Sequence, residues 1–259
     1  MYAAKARLLS MNKDRGGRSV YPPLDTLKAV ADDVWIVDSG PLRALGLPIP
    51  IRMTVIRLQS GEVWLHSPTR YVKELHQAIK SVGSVGHLVA PNIAHWSFLK
   101  EWQIHCPRAI TWAAPGLDQR SKVKKQGLVI NATLDDRAPA DWAGELDQLI
   151  IPGGFGVSEV AFMHMRSRTL ILTDLVENFE FEKLSPAMRV LVRLAGALAP
   201  GGQAPIHYRL VLNRKRQEVA IVARKMLGWA PERVIFSHGR WFEREGTMQL
   251  RHSFRWLLD

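Results

Sequence analysis

Apolar and polar residues alternate along several segments in the first half of the chain, which predicts β-strands. Residues 33–38 read DVWIVD, and residues 52–58 and 62–66 flank a Gln-Ser-Gly turn, as in a β-hairpin. The stretch between the first strand and this hairpin is rich in residues that interrupt regular structure, and it is predicted to be a loop. The interrupting residues are Pro41, Gly46, Pro48 and Pro50.

Short apolar strands and segments of helical period alternate along the rest of the chain. Residues 71–82 place Val72, Leu75 and Ile79 on one helical face. Further strands are predicted at residues 86–90, 109–113, 144–151, 160–164, 169–173 and 234–237. Further helices are predicted at residues 95–105, 184–199, 209–227 and 248–258, with a basic loop or helix at 116–127. This order, without a repeat or a linker, predicts one β-sandwich domain with outer helices over residues 21–259.

The composition is that of a globular protein, and we expect the protein to be cytoplasmic. The chain has 259 residues, 47% of them hydrophobic, and its apolar runs are shorter than the roughly 18–20 residues of a membrane helix. The single cysteine, Cys106, excludes an intrachain disulfide, which fits a reducing compartment. Residues 1–20 hold five basic residues without a secretory apolar core, and they are predicted to form a flexible tail.

The net charge of +11 indicates an affinity for anions. The simplest interpretation is a solvated basic surface, and the alternatives are an anionic substrate, an acidic membrane surface or nucleic acid. The sequence contains no zinc finger, RNA-recognition motif or heptad repeat, so nucleic acid is the least favoured partner. We expect a small-molecule substrate, and the oligomeric state is left open.

Four segments, in order along the chain, resemble motifs of the metallo-β-lactamase superfamily. DVWIVDSG and MTVIRLQSGEVWLHSPT are similar to its N-terminal strands, which end in LIDTG, here without the aspartate. HLVAPNIAHWSFL lies where the superfamily has HxHxDH; His95 matches the last histidine and Asn92 stands near the first. LIIPGGFGVSEVAFMHMRSRTLILTDLV is similar to PGHTPGS…LLTGDLL, with Asp174 as the aspartate and Gly154 in place of the histidine. RVIFSHGRWF resembles the turn that carries the final ligand, here His238.

The resemblance spans roughly residues 30–242 and implies an α+β fold, a four-layer αββα β-sandwich. It also implies a reduced metal centre. The first of the superfamily's two sites loses nearly all its ligands, whereas the second keeps His95, Asp174 and His238, with Asn92 as an additional oxygen donor. One divalent ion is expected, zinc by analogy, with Mn²⁺, Mg²⁺ or Ca²⁺ as alternatives because hard cations favour oxygen ligands. Asp174 and His238 are the expected catalytic residues.

Further residues are predicted to lie near the mouth of this site and to contact substrate. They are His66, Trp96, His164 and Trp241. Each also has a structural interpretation, because a histidine after a strand is often packed in the core and most tryptophans belong to the core. Asp174 could likewise be a helix cap, and Glu159 is interpreted as a solvated residue.

The leading functional hypothesis is metal-dependent hydrolysis of a small ester or lactone by a metal-activated water. N-acyl-homoserine lactones, the substrates of quorum-quenching enzymes, are the specific case that the resemblance implies. One alternative is a phosphodiesterase that acts on nucleic acid, which uses the basic charge better but generally requires two metals. The other is a non-catalytic binding module with a vestigial site, held by a hydrogen bond from Asp174 to His238 or His95.

Overall fold

A mixed seven-stranded sheet is formed by the first half of the chain in the computed structural model, which describes residues 20–44 and 47–259. Its strands are β1 Lys28–Ala31, β2 Val34–Ala44, β3 Leu47–Arg57, β4 Glu62–His66, β5 Ser84–Ala90, β6 Ile110–Ala113 and β7 Ala132–Thr133, in that spatial order. Neighbours are antiparallel from β1 to β4 and parallel from β4 to β7. Parallel neighbours need crossover connections. These contain the helices α1 Lys73–Val82, α2 Leu99–His105 and α3 Ser121–Lys125.

The second half of the chain forms a four-stranded sheet. Its strands are β8 Leu146–Pro152, β9 Ser158–His164, β10 Thr169–Ile171 and β12 Arg233–Ile235, in the spatial order β12-β10-β9-β8. Two short strands, β11 Glu177–Asn178 and β13 His238–Gly239, pair with each other in parallel. The helices of this half are α4 Pro186–Ala195, α5 Ile206–Leu212, α6 Arg216–Gly228, α7 Gly246–Ser253 and α8 Arg255–Leu258.

The two sheets face each other across an apolar core, and helices cover their outer faces. Strand alternation decides which side chains enter which layer. In β4, Trp64 packs edge-on against Trp142 and Phe162 between the sheets, whereas Val63 and Leu65 belong to the outer core that contains α1 and α2. A second outer core joins the four-stranded sheet to α5, α6, α7 and α8. These four layers confirm the predicted αββα fold.

The predicted loop at residues 41–50 is wrong for residues 41–44 and 47–50, which belong to the antiparallel strands β2 and β3, whereas Gly46 lies outside the described residues. Pro41 lies at a β-bulge, and Pro48 and Pro50 precede Thr54, where β3 begins to pair with β4. Proline cannot donate to a ladder, and it is tolerated at bulges and on strand edges. The prolines therefore mark the edge-like part of two strands.

The structure leaves two predictions about the whole chain largely untested. The basic tail predicted at residues 1–20 lies outside the described residues, except for its last position, where Val20 is buried. That residues 21–259 form a single domain stays a prediction. In the described part of the chain, no helix has both the length and the apolar character to cross a membrane.

Candidate metal centre

Polar residues from four separate segments meet at one end of the sandwich. Ser67 follows β4, Asn92 and His95 follow β5, Asp174 follows β10, and His238 opens β13. Since β4 and β5 are parallel neighbours, the residues after them leave the sheet at the same edge. An isolated bridge joins the segment after β5 to the start of β9, so the two sheets also meet there.

Two imidazoles and one carboxylate converge at this end. The Nε2 atom of His95 lies 3.0 Å from Oδ1 of Asp174, and Nε2 of His238 lies 3.2 Å from the same oxygen. The ligand atoms of the three residues all lie within 4.8 Å of one another. Among the described residues, His95, Asp174 and His238 form the group of side chains whose donor atoms are close enough together to hold a metal ion.

The outer nitrogen of each histidine has its own partner. Nδ1 of His238 donates to the carbonyl oxygen of Pro50 at 2.8 Å, which leaves Nε2 with its lone pair directed at Asp174 when the ring is neutral. Nδ1 of His95 lies 2.6 Å from Oγ of Ser67. Such contacts on the far nitrogen fix the tautomer and ring orientation of metal-binding histidines.

Asn92 is beside the cluster, but its oxygen is directed away from it, which corrects its predicted role as an oxygen donor. Its Nδ2 donates to Oδ2 of Asp174 at 2.8 Å and to Oγ1 of Thr173 at 3.1 Å. Its Oδ1 accepts the backbone N–H groups of Ala94 and His95 at 2.8 and 3.0 Å. Asn92 therefore orients the carboxylate of Asp174 and the backbone of His95.

Glu159, interpreted from the sequence as solvated, is fully buried behind Asp174. Its carboxylate accepts the backbone N–H groups of Thr173, Asp174 and Leu175, at distances from 2.7 to 3.1 Å for the shorter contacts. The hydroxyl of Tyr208 also donates to it, at 3.3 Å. Glu159 thus fixes the backbone that presents Asp174, and its position at the start of β9 was the one sequence signal that could have indicated this.

The cluster lies in the wall of a cavity of about 230 Å³. Most of the lining is apolar and comes from the β2–β3 hairpin, the segment after β5 and the start of α5. The main apolar lining residues are Leu42, Ile49, Ile51, Trp96, Phe98 and Pro205. The polar lining outside the cluster is formed by Ser67, Thr69, Ser97, Glu177, His207 and Tyr208. A cavity with an apolar wall and a few converging polar groups is typical of small-molecule sites.

Comparison with known proteins identifies the family. A family model described as "Domain of unknown function (DUF4336)" matches residues 31–191, which is more than half of the chain. The chain belongs to the DUF4336 family. The matched residues include His95 and Asp174 but end before His238. No curated protein matches the sequence.

Solved structures similar to this DUF4336 protein have the metallo-β-lactamase fold. A metallo-β-lactamase from Pontibacter korlensis is 14% identical, with 90% of this chain and 98% of that chain covered and a TM-score of 0.59. FIM-1 from Pseudomonas aeruginosa, in a mono-zinc form, is 13% identical, with 88% and 92% covered and a TM-score of 0.57. Rubredoxin oxygen:oxidoreductase from Desulfovibrio gigas is 13% identical, with 90% and 61% covered and a TM-score of 0.62. The resemblance to this superfamily is confirmed for the fold.

The charges of the cluster in this DUF4336 protein favour a positive charge, either a proton or a cation, beside Asp174. Burial would raise the pKa of Asp174, but the charges and hydrogen bonds of His95 and His238 hold it well below its usual range. Burial alone would lower the pKa of His238, but the hydrogen bond to Asp174 and its charge outweigh burial and raise it to about 9. Two imidazole lone pairs and a carboxylate cannot face one another without a proton or a metal ion between them.

The spacing of the donor atoms fits a metal ion. Zinc binds histidine nitrogen and carboxylate oxygen at about 2.0–2.2 Å in a tetrahedral arrangement, which places neighbouring donor atoms roughly 3.3 Å apart. The two nitrogen–oxygen distances in the cluster are 3.0 and 3.2 Å. A small outward movement of the side chains would therefore admit the ion.

A buried arginine that sequence reasoning missed supports the segment that carries His238. Arg52 of β3 is 3% exposed, forms an ion pair with Asp38 at 2.6 Å, and donates to the carbonyl oxygens of Phe236 and Gly239 at 2.9 Å each. These two carbonyls flank His238. The two terminal nitrogens of the guanidinium are thus paired, whereas its buried Nε has no hydrogen-bond partner among the described residues. A buried charge is tolerated when it is paired, so Arg52 can fix this turn.

Replacing Gly239 with alanine is expected to destabilise the protein and to weaken ion binding. Gly239 has φ +89°, and a Cβ there would overlap the backbone carbonyl group of Asn178 on the paired strand. Separating β11 from β13 should cost on the order of 2–3 kcal/mol of unfolding free energy and displace the adjacent His238. Urea unfolding checks the stability, and alanine at Gly228, which has open space, is the control. Equal stability of the two variants would contradict this account of the turn.

Glu177 is a second carboxyl group in the cavity, and sequence reasoning did not single it out. It pairs in register with His238 across β11 and β13, which places the two side chains on the same side of the paired strands. The pKa of Glu177 is raised to about 7, mainly by burial; the charge of His238 opposes this rise, and the charges of Asp174 and Glu159 add to it. Glu177 can therefore exchange a proton near neutral pH.

The variant Glu177→Gln is expected to be more stable than the wild type at high pH, in the metal-free state. The folded state binds more protons than the unfolded state between pH 4.5 and about 7, so stability is lost as pH rises through this window. A rise of about 2.5 pKa units corresponds to roughly 3 kcal/mol. Urea unfolding in the presence of a chelator should show this gap at pH 8 and less than about 1 kcal/mol at pH 5. A gap that is equal at both pH values would show that Glu177 has an ordinary pKa.

The structure places two of the predicted substrate contacts away from the cavity. His66 is 1% exposed, stacks on Trp64 and meets Phe162 edge-on, and burial lowers its pKa to about 3. It is a neutral core residue, because the alternation of β4 directs it between the sheets. Trp241 packs against the core between the sheets and against the outer core of the four-stranded sheet, and it borders a different depression.

His164 is the third predicted contact that does not reach the cavity, whereas Trp96 lines it as predicted. His164 ends β9 and borders a polar depression together with Asp33, Arg57 and Arg166. The start of β9 lies next to the cluster, so the seven residues of this extended strand carry His164 away from the cluster.

Proposed function

We propose that the protein is a metal-dependent hydrolase that binds one divalent ion through His95, Asp174 and His238 and acts on a small ester or lactone. The observation that supports this most strongly is the convergence of two Nε2 atoms and one carboxylate oxygen within 4.8 Å in the wall of an open cavity. Three protein ligands with room for a further one are typical of catalytic metal sites. The fold of the similar solved structures is consistent with such a site.

The donor set favours zinc among the candidate ions. Two imidazole nitrogens suit zinc, whereas Mg²⁺ and Ca²⁺ prefer six or more oxygen ligands, and the oxygen of Asn92 is occupied by backbone N–H groups. Mn²⁺ remains the alternative that accepts both donor types. When bound, the ion supplies a Lewis acid that polarises a carbonyl group and activates water.

The residues of the cavity have separate roles in this proposal. Ser67 and Pro50 fix the two imidazoles through their Nδ1 atoms, and Asn92 fixes the carboxylate of Asp174. The carboxyl group of Glu177 can take and return a proton beside the reacting carbonyl group. The apolar wall binds the acyl part of the substrate, and an N-acyl-homoserine lactone carries both a lactone ring and an acyl chain.

An assay of acid release tests this function. Hydrolysis of a lactone releases one acid per turnover, so a pH-indicator assay with Zn²⁺- or Mn²⁺-loaded protein and an N-acyl-homoserine lactone should show turnover. His238→Ala should lose it, whereas the matched control His252→Ala, on the exposed surface of α7, should retain it. No acid release above that of His238→Ala, with esters as well as lactones, would reject the proposal.

The two alternative functions have less support. A phosphodiesterase generally uses two metal ions, and the convergent cluster found among the described residues offers three ligands, beside the acidic side chain of Glu177. A vestigial site would be closed by a proton shared between Asp174 and a histidine, and the distances of 3.0 and 3.2 Å suit that state also. The open cavity favours a working site, and stability that is unchanged by zinc or chelator would favour the vestigial one.

A second candidate chemistry uses the same cavity without an ion, and one observation favours it. Oγ of Ser67 lies 2.6 Å from Nδ1 of His95, whose Nε2 contacts Asp174. Ser67 also has φ +52, which non-glycine residues seldom adopt. In this chemistry Oγ bonds to the carbonyl carbon of an ester, its proton passes to His95 and then to the leaving alcohol, and water hydrolyses the acyl-serine.

The two chemistries give opposite results with a chelator. Ester hydrolysis through Ser67 would survive chelation, would be lost in Ser67→Ala, and would be blocked by a fluorophosphonate that mass spectrometry locates on Ser67. Hydrolysis through the ion would be lost on chelation. We rank the serine chemistry second because the N–H of Ser67 is donated to Val89 and Pro68 has no N–H, so neither can stabilise an oxyanion.

A further inference from the structure

The helices α4 and α5 present aliphatic side chains to solvent. We call these residues the aliphatic face: Val190, Leu191, Leu194, Ile206 and Leu210, each between 47% and 70% exposed. Residues four apart lie on the same side of a helix, so Val190 and Leu194 project together, as do Ile206 and Leu210. The two helices contact each other. Exposed aliphatic residues that occur singly are ordinary, whereas a group on adjacent helices indicates a binding surface.

The opposite side of α4 is also apolar. Met188 and Val192 are buried in a small core with Phe179 and Leu184. Apart from Arg189 and Arg193, every residue of α4 is apolar, and an apolar helix face is normally covered. In the described part of the chain, α4 is covered on one side only. The sequence of α4 is therefore better suited to an environment that is apolar on its outer side.

The charges around the aliphatic face indicate which kind of partner covers it. Residues 186–217 contain no aspartate or glutamate and six basic residues. The basic residues are Arg189, Arg193, Arg209, Arg214, Lys215 and Arg216. Lys215 is paired with Glu218, just beyond this range, and the guanidinium of Arg209 is partly buried against Trp256, so the remaining arginines carry the charge that is available at the surface. A second copy of this chain would bring like charges together across the interface, whereas an anionic surface would attract them. The net charge of +11 acts in the same direction.

We propose that the aliphatic face docks on an anionic phospholipid bilayer, with the aliphatic side chains at the acyl boundary and the arginines at the phosphates. Leucine and valine beside arginine and lysine are the composition of helices that lie in a membrane interface. The mouth of the cavity is adjacent, because Pro205 and His207 line it and flank the exposed Ile206. A lipophilic substrate can then enter from the bilayer. This surface does not depend on the metal centre.

Cosedimentation of the full chain with vesicles tests the docking surface. The wild type should bind vesicles of phosphatidylcholine mixed with phosphatidylglycerol more tightly than vesicles of phosphatidylcholine alone, and salt should weaken the binding. Each cation near an anionic surface contributes roughly five-fold in affinity, so Arg193→Gln/Arg214→Gln should weaken binding roughly 25-fold. Leu194→Gln/Leu210→Gln should weaken it at least about ten-fold. The control Ile104→Gln/Met248→Gln changes equally exposed apolar residues elsewhere and should bind like the wild type.

The same variants define the results that overturn the proposal. Thermal unfolding of each variant shows whether it is folded, and surface changes of this kind should leave it unaltered. If the folded aliphatic-face variants bind anionic vesicles as tightly as the wild type, the surface does not dock on membranes. If the wild type is a dimer in sedimentation velocity that Leu194→Gln/Leu210→Gln dissociates, without any change in vesicle binding, the face is an interface between copies and the proposal is wrong.

Discussion

Replacing Asp174 with asparagine is expected to abolish ion binding and hydrolysis while leaving the protein folded. Asp174 is the one acidic ligand of the cluster and the contact that both histidines share. Asparagine keeps the size but removes the charge, so two imidazoles are left to hold a dication. We expect a loss of at least about 1,000-fold in metal affinity, beyond the 10- to 100-fold that is typical of residues that only orient a ligand.

Graded controls make this result specific. Asn92→Ala removes an orienting contact to Asp174 and should fall in the 10- to 100-fold range. Asp141→Asn, at an exposed position, should have no effect. Competition with a chromogenic chelator measures the affinity, and the pH-indicator assay measures turnover. An Asp174→Asn variant that holds zinc as tightly as the wild type would show that Asp174 has a structural role only.

Replacing Glu159 with alanine is expected to cause the largest loss of stability among the polar residues near the site. The carboxylate accepts three consecutive backbone N–H groups and the hydroxyl of Tyr208; the N–H of Asp174 is partly buried and the other donors are buried. Alanine would leave these donors without a partner in a space that the side chain filled. We expect a loss of about 3–5 kcal/mol, which is the cost of breaking a buried charged network. Removing the repulsion between Glu159 and Asp174 offsets part of this loss of stability.

A matched variant separates the network from the loss of one hydrogen bond. Tyr208→Phe removes a single donor to Glu159 and should cost only about 1 kcal/mol. For a chain of this length, 3–5 kcal/mol corresponds to a fall in melting temperature of roughly 10 °C. Calorimetry of the metal-free proteins measures both. Equal melting temperatures for Glu159→Ala and the wild type would contradict the role given to Glu159 in fixing the backbone of Asp174.

The fold was accessible from the sequence where one periodicity dominates a segment. The strand predicted at residues 62–66 is β4, because alternating apolar residues enter two different cores there. The helix predicted at 71–82 is α1, which buries Leu75 and Ile79. The helix predicted at 209–227 is instead α5 and α6 with a tighter turn between them, since helical periodicity alone does not show such an interruption.

The candidate site was accessible only in part. The resemblance to one superfamily selected His95, Asp174 and His238, and the structure brings these three together. The orientation of Asn92 and the burial of Glu159 depend on contacts between residues 14 to 82 positions apart, which no local pattern shows. The same holds for Arg52, whose partners on the turn of His238 lie more than 180 positions away.

The central claim is that one ion is held by the three convergent side chains, and metal stoichiometry tests it most directly. After dialysis against Zn²⁺ and removal of free ion, elemental analysis should find one ion per chain in the wild type and in His207→Gln, which changes a cavity residue outside the cluster. It should find none in His95→Gln or His238→Gln. A wild-type protein that retains no ion, or a His238→Gln variant that retains as much as the wild type, would contradict the account.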